Sequence, residues 1–299
     1  MTYFPIEALR SVDVIVPDLG AAEAFYTGVW GLRVAARERG TVWLRASGTD
    51  PHVLALHAGS SPAIRSMTFR AEPGADLERL RDALAAAGAE IGVSAHSFDE
   101  HGAGIGLTAR DALGRILRVV QDDERVEVME DAGDVPERLA HVNLNSDGVD
   151  RDAGFFIDAL GFKLTDRSKM MAFVRTNPDH HSVVIADAPV NGLNHVAFQL
   201  RTWEDVMTGS GRMIDSGFPI GWGPGRHGPG DNVFSYFVDP FGFVIEYTAE
   251  VLQVDDDYRV GGPEDWVWPP GRTDQWGICP PKSAECKAAQ LAIPFEAQQ

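Results

Sequence analysis

The strongest constraint on this chain is that it repeats itself. Residues 9–34 (LRSVDVIVPDLGAAEAFYTGVWGLRV) line up with residues 139–164 (LAHVNLNSDGVDRDAGFFIDALGFKL). Each copy reads as a short β-branched strand, a turn and an apolar-periodic helix that stops at a glycine. Two further pairs keep the same order: PHVLALHAGSSPAIRSMTFRAE (51–72) with HHSVVIADAPVNGLNHVAFQL (180–200), and DALGRILRVVQ (111–121) with DPFGFVIEYTA (239–249). Such self-similarity means that one supersecondary unit is reused along the chain.

Each half divides again. SMTFRAE is followed by DLERLRDALAAAG (76–88), and HVAFQLR by TWEDVMTGSGRMIDSG (202–217); both read as helices that lead into short strands. The expected class is α+β, with four βαβββ modules in two tandem domains, each a curled mixed sheet around a cavity. The expected boundaries are an N-terminal module pair at 1–125, an acidic linker at 126–137 and a C-terminal pair at 138–252. A Trp-, Pro- and Gly-rich arm at 253–299 is expected either to pack on its own domain or to cover the mouth of the second cavity as a lid.

At 299 residues the chain is long enough for two such domains. Its net charge of −18, from 44 acidic and 26 basic residues, repels phosphate backbones and anionic membranes. No nucleic-acid or membrane partner is therefore expected, and no apolar run reaches the roughly 18 residues that a bilayer demands. The N-terminal stretch shows no signal-peptide pattern, so a cytoplasmic location is expected. Cys279 and Cys286 match no zinc or CxxC spacing and are expected to be free thiols.

The repeat serves as its own control. His141 stands opposite Ser11, His195 opposite Ser66 and Glu246 opposite Arg118. The apolar neighbours keep their type: Val142 with Val12, Val196 with Met67, Ile245 with Leu117. Taken singly, each of the three reads as a strand residue satisfied by its neighbours, Glu246 by an arginine. Taken together, on three different predicted strands and absent from the sister copy, they read as a metal site. Two histidines and a carboxylate hold one face of a non-haem Fe(II) and leave positions open for substrate and oxygen. Glu246 lies in the apolar run GFVIEYT, where an unpaired carboxylate is costly to bury and a metal removes that cost.

In LAHVNL, NHVAF, GRHG and DPFGFVIEYT, in that order and spacing, the chain resembles the type I extradiol ring-cleaving dioxygenases, the catechol 2,3-dioxygenase-like enzymes of the vicinal oxygen chelate superfamily. The resemblance covers nearly the whole chain. It implies that His141, His195 and Glu246 bind Fe(II), or Mn(II) as in some relatives, where a catecholic substrate meets O2. It implies His181 as the acid–base histidine, with His227 and Tyr236 hydrogen-bonding the substrate oxygens and Asn143 beside them, and it implies a homo-oligomer. His181 has a first-half counterpart in His52, so a histidine persists there without a metal; His180 is expected at the surface or in a structural role. Relatives that cleave carboxylate-bearing catechols place arginines around the pocket. One such position carries Trp222 here, which argues against homoprotocatechuate and for a neutral or differently substituted ring. Phe173 is expected as a pocket wall, and Arg272, with Trp266 and Trp268, as an arm residue near the substrate. Two rivals stand beside this reading. One is a glyoxalase-like isomerase or lyase, whose metal usually draws four protein ligands from two modules. The other is a non-catalytic small-molecule-binding member, which lacks metal ligands.

Overall fold

The computed structural model describes residues 5–92, 96–102, 104–130 and 133–297. Two nine-stranded mixed sheets carry the chain, and strand order is the same in both. In the second, the order is Lys163–Arg167, Met171–Arg175, Val183–Asp187, Arg138–Ser146, Gly192–Gln199, Val244–Ala249, Val233–Val238 and Trp222–Arg226. The short arm strand Ile293–Pro294 adds beside Gly192–Gln199. The two modules of this half meet where their leading strands, Arg138–Ser146 and Gly192–Gln199, pair antiparallel. Each leading strand has a parallel partner on its other side, Val183–Asp187 and Val244–Ala249 respectively. The first half repeats this plan around Ile6–Val16 and Ala63–Ala71. Four βαβββ modules in two tandem sheets are thus the architecture.

The correspondence read from the repeat is also a correspondence in space. Val142 pairs with Val183 and Val196 with Ile245, as Val12 pairs with Leu54 and Met67 with Leu117. The helices follow their local signals. Thr202 caps Trp203–Asp215 through a capping box closed by Asp205. Val149–Leu160 ends at Gly161, whose φ of 72° is left-handed and suits a residue without Cβ.

Alternation decides which side chains meet the core and which the cavity. Along Arg138–Ser146, Val142 and Leu144 enter an apolar cluster shared by both halves, while His141 and Asn143 face a cavity on the opposite side. The halves are keyed together by Trp30 stacked on Tyr247 at 3.7 Å, by the Tyr26 hydroxyl donating to Asp239 at 2.8 Å, and by buried Arg115 bridging Asp111 and Asp152. The first half therefore acts as a rigid backing for the second sheet. No helix among the described residues is long and apolar enough to cross a membrane.

Candidate metal centre

Residues directly opposite one another in a sheet share a face, so register alone assembles most of the site. One cross-strand row runs His141, Ala197, Glu246, Tyr236, Trp222. The next row runs Phe173, Val184, Asn143, His195. Ala197, without a bulky side chain, separates His141 from Glu246 in the first row and leaves space above it.

Into that space project three donor atoms. His141 Nε2 lies 3.1 Å from His195 Nε2, and Glu246 Oε2 lies 3.3 Å from the former and 3.1 Å from the latter. All three residues are buried, and theirs is the one cluster of three such ligand groups among the described residues. Glu246 Oε2 has no hydrogen-bond partner, and two imidazole nitrogens face each other across the gap. A divalent cation satisfies all three at once, and the two-histidine, one-carboxylate set suits Fe(II) or Mn(II). Asn194 Oδ1, 2.9 Å from His195 Nδ1, accepts a hydrogen bond from that N–H and so turns the Nε2 lone pair inward. Asn232 donates to the other carboxylate oxygen, Glu246 Oε1, at 3.4 Å.

Burial drives the His195 imidazolium down to about 4 against the pull of Glu246, drives His227 down to about 3, and holds His181 well below the ordinary histidine value. These rings are neutral near pH 7, the form that binds a cation or accepts a proton. For Glu246, burial pushes the carboxyl up, but His141 and His195 outweigh it and hold the group ionised. Burial and Glu246 keep Tyr236 a phenol by raising it well above its usual value.

A cavity of about 250 Å³ opens over the triad, a volume suited to a single ring rather than a large ligand. His141, Asn143, Phe173, His181, His195, Trp222, His227 and Tyr236 all line it. His227 Nε2 and the Tyr236 hydroxyl are 3.1 Å apart, and that hydroxyl reaches His195 Nε2 at 3.4 Å. Arg272 is not brought to the site. Its guanidinium donates to the carbonyls of Asp274 and Gln275 and lies over Trp268, so it braces the arm's own fold. Trp266 and Trp268 pack around Gly228, next to His227. The arm residues that do line the cavity are Lys282 and Gln290, which no periodicity in the tail singled out. Cys279 and Cys286 are free and buried.

His180 is not at the surface; it is fully buried. Its Nε2 lies 2.8 Å from Asp166 Oδ2 and its Nδ1 3.1 Å from His181 Nδ1. A carboxylate only accepts, so His180 Nε2 donates and, with that as the ring's one proton, its Nδ1 accepts. His181 Nδ1 is then the donor, and the free lone pair of His181 sits on Nε2, which has no protein partner among the described residues. By register, Asp166 corresponds to Ala36 in the first half, and His180 to Pro51. There His52 bonds Arg10 instead, at 2.9 Å, and the Arg118 guanidinium occupies the lost carboxylate position between Asp13 and Glu100.

The fold and the triad define a class, and sequence comparison agrees: the chain belongs to the Glyoxalase/Bleomycin resistance protein/Dioxygenase superfamily, whose family model matches residues 8–118 and 138–247. Within it the chain is similar to metapyrocatechase 2 of Cupriavidus necator, 30% identical over 294 residues that cover 89% of this chain and 87% of the relative. It is also similar to a manganese-dependent 2,3-dihydroxybiphenyl 1,2-dioxygenase of Geobacillus genomosp. 3, at 24% identity over 77% of this chain and 80% of that one. Among solved structures, a Mn(II)-bound glyoxalase from Novosphingobium aromaticivorans superposes with a TM-score of 0.88 at 33% identity, covering 99% of this chain and 96% of that one. These relationships place the chain with the extradiol dioxygenases of the superfamily.

Proposed function

We propose that this enzyme uses Fe(II), or Mn(II), and O2 to open a catecholic ring beside its diol, giving a 2-hydroxymuconic-semialdehyde-type product in aromatic catabolism. The observation that carries this reading is a buried His141–His195–Glu246 triad under a ring-sized cavity, with the Nε2 lone pair of His181 left free on a side chain that lines it. When bound, the metal supplies Lewis-acid polarisation of the two catechol oxygens and a place for O2 beside them.

The remaining work falls to the chain. His181 Nε2 takes up a catechol hydroxyl proton and returns it to an O2-derived oxygen as the O–O bond breaks, so that both oxygen atoms end in the ring-opened product. The Tyr236 hydroxyl and His227 Nε2 hydrogen-bond the substrate oxygen as it gains charge, an interaction strengthened by exclusion of water. Phe173 and Trp222 hold the ring's faces, and Asn143 positions its edge. The arm covers the cavity through Lys282 and Gln290, which line its wall. A glyoxalase-like isomerase is less well supported, because three ligands converge here and His227 is engaged with Tyr236 rather than forming a fourth. A non-catalytic binder has no use for the triad.

The test is anaerobic reconstitution with Fe(II) or Mn(II), followed by a panel of catechols assayed for a yellow ring-opened product and oxygen uptake. Metal bound at the triad with no turnover on any catechol would defeat the proposal.

A further inference from the structure

Resting on that reading, we infer that the substrate ring carries a carboxylate, and that Lys282 of the C-terminal arm binds it. Lys282 lines the cavity although it lies far from the triad in sequence. Its ammonium sits 4.4 Å from the Trp222 ring centre and 5.7 Å from that of Tyr236. Its one hydrogen bond among the described residues is to a neutral group, Gln290 Oε1, at 2.6 Å, and no Asp or Glu lies within ion-pairing distance. A largely buried cation without a carboxylate partner is costly to keep. Two aromatic faces offset only part of that cost.

A second observation points the same way. Trp222 lines the same wall as Lys282, so this end of the cavity sets a positive charge against aromatic faces without an anion to match it. A substrate carboxylate supplies the missing charge. Burial depresses the Lys282 ammonium, and an anion beside it restores the charged form. The acidic groups near the cavity do not fill this role: Glu246 faces the metal position, and Asp187 is an exposed rim residue. The position of Lys282 is fixed rather than incidental, because Gln290 also donates to Asn194 at 2.6 Å, and Asn145 donates to the Gln290 carbonyl at 2.6 Å. Trp222 thus leaves the pocket without an arginine at its own position, and the arm supplies the cation from elsewhere in the chain.

The experiment compares 2,3- and 3,4-dihydroxybenzoate with their methyl esters, using full-length metal-loaded enzyme. The parent should favour the better acid over its ester by about 10- to 100-fold in kcat/KM, the range expected for a charge-assisted hydrogen bond. In Lys282→Met that ratio should collapse towards one, and Lys282→Arg should restore it. A parent without preference for either acid, or a preference that survives in Lys282→Met, overturns the inference. Anaerobic calorimetry with the same acids and esters gives a readout independent of turnover. If no catechol is cleaved, the ring-cleavage reading falls while the subsite is still decided: binding of an acid that weakens in Lys282→Met upholds it, and binding indifferent to the change refutes it.

Discussion

Replacing Asp166 with asparagine isolates the role of the buried pair behind His181. The carboxylate accepts from opposite sides: the Gly261 amide donates to Oδ1 at 2.7 Å, and on the other side His180 Nε2 donates to Oδ2 at 2.8 Å, with the Tyr258 hydroxyl, able to donate or accept, more distant at 3.5 Å. An amide of the same shape accepts through only one of its two ends. If its oxygen stays with Gly261, its NH2 faces His180 Nε2, which must then accept. The His180 proton moves to Nδ1 and points at His181 Nδ1, so His181 carries its own proton on Nε2 and no longer presents a base to the cavity. The flipped amide restores the productive tautomer but sets its NH2 against the Gly261 N–H, leaving a buried donor unpaired at a cost of about 1–3 kcal/mol. Reaching the working state through that cost slows the reaction about 5- to 150-fold. The expected result is a kcat lowered by that factor, with metal content and melting temperature close to those of the parent. The assay is steady-state turnover at saturating O2, normalised to bound metal. A kcat within twofold of the parent at full metal occupancy refutes the relay.

Three further outcomes are expected. Glu246→Gln should bind less than a tenth of the parent's Fe(II) or Mn(II) by elemental analysis, and the rise in melting temperature that added metal gives the parent should vanish. In Gly230→Ala, the new Cβ would lie 2.7 Å from His181 Cε1 at a φ of 83°, so turnover should fall at least about tenfold with metal retained, the range for loss of a positioned acid–base group; unchanged turnover would show that His181 is free to move. Asp239, whose carboxyl burial pushes up to about 6 against the Tyr26 hydroxyl and nearby backbone amides, binds its proton more tightly folded than unfolded. Its contribution to stability is complete below about pH 4 and lost as pH rises through about 6. Urea unfolding should therefore shift in favour of Asp239→Asn, relative to the parent, by on the order of 2–3 kcal/mol between pH 4 and pH 7; a constant difference would contradict the shift.

Much of the site was legible because it is written along short strands. His141, His195 and Glu246 each sit inside an apolar run, and a duplicated chain shows at once that their counterparts are Ser11, Ser66 and Arg118. Strand alternation then sets each of them opposite its apolar core neighbours, and the register observed in the sheet puts the three on one face. The pair behind His181 was not legible. Asp166 looks like any polar strand residue, and only the fold brings it within 2.8 Å of His180; the first-half counterparts, Ala36 and Pro51, become informative once pairing is known. Lys282 was hidden for a different reason. The tail has no periodicity, and its contact with Trp222 spans the sheet edge and the arm, so local sequence carries no trace of it. Arg272 misled in the opposite direction, since an arginine among tryptophans suggests a ligand contact but here stabilises loop carbonyls.

Comparison of the halves also explains why one lost its ligands without losing its fold. In the first half the position of Glu246 is taken by Arg118, whose guanidinium pairs with Glu100 at 2.7 Å, lies 3.6 Å from Asp13 and covers the Phe98 ring at 4.4 Å. A cation thus lies on the face of the first sheet as part of the chain, whereas at the matching place in the second the chain supplies only the anion and two lone pairs that would hold one. The first arrangement carries its own positive charge once folded. The second is incomplete until a metal arrives, because Glu246 Oε2 has no other partner, and a metal held by three protein atoms on one side keeps its remaining positions for chemistry. Under the proposed function the same scaffold is structural in one half and reactive in the other, and the difference lies in whether the positive charge is covalently attached.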